Sequence, residues 1–248
     1  MYISDKMWSW YIEQLDKIDK TAANKMHEYL STHEWWKTNA AKKATVEYAY
    51  ALATKYGEAG AEVACEMYDI VANDYAKRFI PPAEPAKTAT YSETRKAIYG
   101  AMKTDSDDVI VNAVSRLVKL GSADTMLNNT LRDGAEFAWI PQGEHTCAYC
   151  MTLASRGWQK ASKAAIKDGH AEHIHANCQC TYVVRFDDKT DVQGYNPNAY
   201  LRMYNSADPG GSPQDKINAL RREIYASDAD RINEQKRAAY AAREDSGT

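Results

Sequence analysis

The chain has 248 residues, enough to bury a substantial core in one large domain or two small ones without help from metal or disulfides. Hydrophobic residues make up 44% and charged residues 26%, and the mean hydropathy is -0.62, a balance that excludes general disorder. Lys and Arg total 31 against 34 Asp and Glu, so the net charge of -3 excludes a whole-molecule field for polyanions. No run is apolar enough to span a bilayer, and the opening MYISDKMWSWYIEQLDK lacks the apolar core and cleavage site of a signal peptide.

In chain order, Trp8, Tyr11, Leu15, Ile18, Ala22, Met26 and Tyr29 recur at spacings of three and four, which predicts a long amphipathic first helix. A second helix is expected from about Trp35 to Tyr56, stopping near Gly57 and Gly60. A third carries Ala61, Ala64, Tyr68, Val71, Tyr75 and Phe79. Three apolar stripes bury one another most simply as a helical hairpin or bundle. The prolines of IPPAEPAK, residues 80–87, exclude a helix and mark a hinge or boundary.

Helices are expected to resume over Ser92 to Met102 and after the acidic start at Asp105 to Asp108, with Gly121 as a C-terminal cap and a further helix from Ala123 to Arg132. AEFAWIP and TYVVRF, residues 181–186, suit two short strands that pair as a ribbon with the cysteines at its ends. From Asp187 to Pro213 the residues favour turns, with a short helix at Asn198 to Tyr204. Ile217, Leu220 and Ile224 then predict a helical tail that frays at its end.

The expected fold class is therefore mainly α (α+β). It has an N-terminal helical region over 1–79, a Pro-rich linker over 80–90, and a helical region with a Cys/His knuckle over 91–186. A loop and helical tail occupy 187–248. No internal repeat, phosphate loop, nucleophile elbow or HExxH pair is present in the sequence.

Four of the five cysteines fall between residues 147 and 180. HTCAYC places Cys147 and Cys150 three positions apart, and HIHANCQC places His175 ahead of Cys178 and Cys180. A CxxC turn lets two sulfurs converge on one tetrahedral ion, and Cys178 and Cys180 share a side if the backbone is extended. Five donors for a four-ligand zinc leave one spare, so either the four thiols bind with His175 orienting them, or His175 replaces one. A disulfide between the halves and buried free thiols are the alternatives. A closed four-ligand site is structural rather than catalytic.

Cys65, on the apolar side of a helical pattern, reads as a core residue. His145, His170 and His173 read as solvated or satisfied histidines. Lys160, Lys163 and Lys167 are expected on one face of a short helix. With Arg156 they form the best local basic patch for nucleic acid.

The run PxGxxTCAYCxxLASRGW, a basic spacer, then HxNCxC and a hydrophobic strand resembles the Mu F-like minor head proteins of tailed phages, in the form found in phages of Gram-positive hosts. The matching residues are Pro141, Gly143, Thr146, Cys147, Cys150, Leu153, Ala154, Ser155, Arg156, Gly157, His175, Asn177, Cys178 and Cys180, within about residues 139–186. The resemblance implies a low-copy virion component of the capsid interior, associated with the portal and made in the host cytoplasm. Its implied partners are portal protein, major capsid or scaffolding protein and packaged DNA, with no membrane. Fewer than 70 residues follow Cys180, without a nucleophile constellation, which argues against an added toxin or protease domain.

Two other classes compete. A nuclease resembling HNH enzymes would use His175 as base, but the sequence lacks the further His or Asn pair at suitable spacing for a hydrolytic metal. A zinc-stabilised nucleic-acid-binding module would use the lysine face. An ADP-ribosyltransferase lacks its ExE motif.

Overall fold

The computed structural model describes residues 1–142, 146–164, 180–230, 233–234 and 237. The chain divides into two compact units, Met1–Gly143 with Trp158–Tyr195, and Glu144–Gly157 with Asn196–Thr248. The mainly α (α+β) expectation holds: helices dominate, with a small antiparallel sheet.

The first unit is built on α1 (Asp5–Thr32), α2 (Asn39–Tyr75), α3 (Tyr91–Ala101) and α4 (Asp107–Asp133). The predicted stripe of α1 supplies buried Tyr11, Ala22 and Met26, of which Ala22 and Met26 meet Val46 and Leu52 of α2 and Ile110 and Val114 of α4 in one apolar cluster. Trp35, buried in the α1–α2 turn, donates its indole N–H to Asp107 Oδ1 at 2.7 Å and so ties that turn to the start of α4. Thr38 caps α2 by accepting from Ala41 N–H at 3.0 Å, and a Thr90–Glu93 capping box starts α3.

Two expected helix ends are corrected. α2 runs unbroken through Gly57 and Gly60, and α4 runs unbroken through Gly121. These glycines mark a close crossing instead of a cap: a Cβ on Gly121 would lie 2.2 Å from the Gly57 carbonyl oxygen. Only hydrogen at Gly121 lets the two backbones touch, whereas a Cβ on Gly57 would meet the Thr88 methyl at 3.0 Å. The true cap of α4 is Gly134, at φ 62.

Residues 80–90 form neither helix nor strand. They are fastened by side chains of α2 and α4, among them Asn129, which receives Glu84 N–H and donates to Glu84 O.

Strands β1 (Glu136–Ile140) and β3 (Thr181–Arg185) pair antiparallel as expected, from Glu136 opposite Arg185 to Ile140 opposite Thr181. A strand the sequence does not announce, β2 (Gln159–Lys160), joins the other edge of β1. The sheet sits against α2 and α4, with Phe186 edge-on to Tyr68 at 5.4 Å. Tyr68 in turn donates to Asp133 Oδ2 at 2.7 Å, and Asp133 also accepts from Arg132.

In the second unit, α5 (Ala148–Ala154), α6 (Pro197–Ala207) and α7 (Pro213–Ser227) pack together. The short helix expected at 198–204 is α6, capped by Asn196. α7 opens with a Ser212–Asp215 capping box and buries Ala219 and Leu220. Among the described residues no helix is long and apolar enough to cross a membrane.

Candidate functional site

Cys147 is the N-cap of α5, with extended backbone, and its sulfur accepts the Cys150 N–H at 3.4 Å. Cys150 lies one turn on and is fully buried, between buried Ala148 and Leu153. The CxxC spacing thus becomes one capped helical turn that carries both thiols. Tyr149 between them is half-buried. Burial raises its phenol pKa, the positive charge of Arg156 opposes that rise, and the neighbouring cysteines add to it.

Cys180 belongs to the first unit, immediately before β3, and is half-buried. Its neighbour Thr181 ends the β1–β3 ladder and shares a buried 3.5 Å hydrogen bond with the Tyr11 hydroxyl. Burial pushes the Tyr11 phenol up to about 12, against the opposing Thr181 bond. Cys180 also lines a cavity of about 320 Å³ between α1, α4 and the end of the sheet. Its walls are mainly apolar, including Ile12, Leu15, Val118 and Trp139, and Lys119 and Asp19 form a 3.0 Å ion pair beside them.

His175 and Cys178 lie outside the described residues, as do His145, His170, His173 and Lys167. Among the described residues no three His, Cys, Asp or Glu side chains converge as a metal cage. The donor chemistry present nonetheless fits a soft, thiolate-bound ion. Two cysteines occupy one turn, and a backbone N–H already points at one sulfur, which stabilises charge on it.

The basic face is corrected. Lys160 sits on β2 opposite Glu136, so it shares no helical face with Lys163, which is exposed at 163–164 where the chain turns helical. Arg156 is exposed just beyond α5. Cys65 is buried on α2 as expected. Burial, then the charges of Glu62 and Asp69, push its thiol up to about 11, which leaves it unreactive.

The sequence reading missed the role of Trp158. Gly157 precedes it at φ 65, and the Trp158 indole N–H donates to Asp191 Oδ1 at 3.2 Å. The Arg185 guanidinium lies 4.6 Å from its ring centre. Arg185 also forks onto Glu136 Oε2, at 2.7 Å from Nε and 2.6 Å from its second terminal nitrogen. Trp158 therefore fixes the return of the chain into β2 against the end of β3. The only sequence signal was an aromatic after a glycine.

Neither a curated protein nor a solved structure matches the chain. The model of one family, described as VG15 protein, matches residues 2–207. That match takes in the four-helix core, the three strands and all five cysteines. The chain belongs to the VG15 family of phage proteins.

Proposed function

We propose that this phage protein is a minor head protein of the Mu F-like kind, a structural component of the capsid interior at the portal that serves head morphogenesis and DNA packaging or ejection. Its partners on this reading are the portal protein, the major capsid or scaffolding protein and packaged DNA. The observation that carries the reading is the capped CxxC turn of Cys147 and Cys150, held in the same motif order that gives the resemblance, within a chain of a phage family. The role is structural rather than enzymatic, because the cysteines serve to brace the fold.

Zinc is the proposed ion. Cys147 and Cys150 would hold it with two of His175, Cys178 and Cys180, and it would supply a covalent-strength brace in a closed, redox-inert site. The protein's own part is to deliver thiolates in a preset turn. The nuclease alternative rests on His175 and the nucleic-acid alternative on the lysine face, and Lys160 on β2 weakens the latter.

Two measurements test the two halves separately. Mass spectrometry of purified virions, before and after DNA ejection, should find the chain at low copy with the portal protein. Its absence from particles that contain portal and capsid protein overturns the head role. Elemental analysis with thiol titration should find bound zinc and protected thiols. Zinc-free protein with reactive or disulfide-bonded cysteines overturns the brace alone.

A further inference from the structure

The segment 80–90 is fastened to the helices beneath it by a closely spaced set of hydrogen bonds. Ala83 N–H donates to Asp69 Oδ1 at 2.7 Å, Glu84 N–H to Asn129 Oδ1 at 2.9 Å, and Ala86 N–H to Thr125 Oγ1 at 2.9 Å. Arg132 donates to the carbonyls of Pro81 and Pro82, each at 3.0 Å. Thr125, Asn129 and Arg132 all belong to α4, so that helix carries most of the grip.

Asp124 precedes Thr125 and differs from these neighbours. It is half-buried, and its carboxylate makes no hydrogen bond or ion pair among the described residues. It lines the hollow between α4 and the segment. The charged groups around it are Glu84 and Lys87 from the segment, Arg132 from α4 itself and Glu93 from α3. α2 adds no charged group to that lining.

Glu93 is already committed as an anion, because its carboxylate accepts the Thr90 N–H and hydroxyl, both at 2.8 Å. Those bonds, the backbone one first, hold its pKa below the usual range. Arg132 is committed to Asp133 and the proline carbonyls. An ionised Asp124 therefore meets a fixed negative charge and has no bonded cation.

We propose that residues 80–90 act as a pH-dependent clasp on α4, closed while Asp124 carries a proton and loosened when Asp124 ionises. Burial first, and the charge of Glu93 second, push the Asp124 pKa up to about 6 in the closed state. A raised pKa means that the closed state binds the proton more tightly than the open one. Clasp protection is thus complete at acid pH and is lost as pH rises through about 6.

The test is amide hydrogen exchange of the whole protein, corrected for intrinsic rates, at about pH 5 and about pH 7.5, which bracket the titration. Protection at the Glu84 and Ala86 amides should fall by about tenfold or more between them, below a ceiling of roughly 100-fold set by two pKa units. Asp124→Asn should hold the high protection at both pH values. Asp124→Ser, checked by circular dichroism, serves if the amide disturbs the fold. Constant protection in the wild type overturns the clasp, as does protection that rises with pH because Lys87 swings in to pair. So does an Asp124→Asn protein that keeps the wild-type pH dependence, or a carboxyl resonance of Asp124 that titrates in the ordinary range.

Discussion

Replacing Gly121 by alanine tests the α2–α4 crossing, on which the position of the sheet depends. By helix propensity alone the change stabilises α4 by about 1 kcal/mol. Against that, the new Cβ meets Gly57 backbone at 2.2 Å from the carbonyl oxygen, 2.9 Å from the carbonyl carbon and 3.1 Å from Cα. No rotamer relieves a clash with backbone, so the helices must part by roughly 1 Å, a gap that forfeits a quarter to a half of the local dispersion well. Overpacking at its upper end costs about 3 kcal/mol, which leaves a net loss of about 2 kcal/mol. For a protein of this size that lowers the melting temperature by roughly 4–8 °C. Two controls make the assay decisive. Gly100 in α3 has nothing within 4 Å of its would-be Cβ, so Gly100→Ala should raise the melting temperature. Gly57→Ala meets the side-chain methyl of Thr88, not backbone, at 3.0 Å and should fall between. Thermal unfolding followed by circular dichroism must give the order Gly100→Ala, wild type, Gly57→Ala, Gly121→Ala. A Gly121→Ala protein that melts at or above the wild type refutes the close-crossing account.

Trp158→Leu removes both the stacking partner of Arg185 and the donor to Asp191, and should destabilise the first unit by about 2 kcal/mol, measured by urea unfolding followed by circular dichroism. Asn129→Ala strands both polar backbone groups of Glu84, so exchange at that amide should accelerate at every pH, with a stability loss of about 2 kcal/mol. Asp133 works in the opposite sense to Asp124. Desolvation raises its pKa, but bonds from Arg132 and Tyr68 and the charges of Arg132 and Arg78 outweigh it and leave the carboxyl below its usual range. Its contribution is therefore present above the ordinary carboxylate pKa and lost as pH falls through the lower folded value. Asp133→Asn should flatten the acid limb of a stability-against-pH curve, and an unchanged limb would show that other carboxylates control it.

The amphipathic stripe of α1 was legible because it repeats the 3.6-residue period over enough residues to be distinctive, and β1 and β3 because aromatic and β-branched residues gather in two short runs that are buried on both faces. Gly57, Gly60 and Gly121 were misread because glycine answers two needs with one residue. It frees the backbone at a cap, and it lets two backbones touch at a crossing. Which need applies depends on a partner helix distant in sequence. β2 is only two residues long, so no period marks it, and the lysine spacing invited a helix that Lys160 does not join. The CxxC turn was readable because its spacing is itself the chemistry. Trp158 was not, since its meaning lies in Arg185 and Asp191, which the fold brings to it.

The sheet also predicts how far the proposed zinc brace reaches. Pairing of Ile140 with Thr181 closes an excursion of 40 residues, from 141 to 180. Closing such a loop costs roughly 3 kcal/mol of chain entropy, and the sheet already meets that cost through buried apolar contacts. The rings of Trp139 and Tyr182 meet edge-on at 4.5 Å, and those of Phe137 and Tyr182 at 5.7 Å. A metal linking Cys147 and Cys150 to ligands just before β3 therefore closes a smaller loop inside one that is closed without it. Chelation should then strip zinc and expose the thiols and the amides between 141 and 180 outside β2, while the amides of Ala138 and Val183 keep their protection. Exchange measured with and without a chelator separates the cases. If the strand amides lose protection together with the excursion, the brace carries the sheet, and the apolar contacts of Tyr182 do not suffice to hold it.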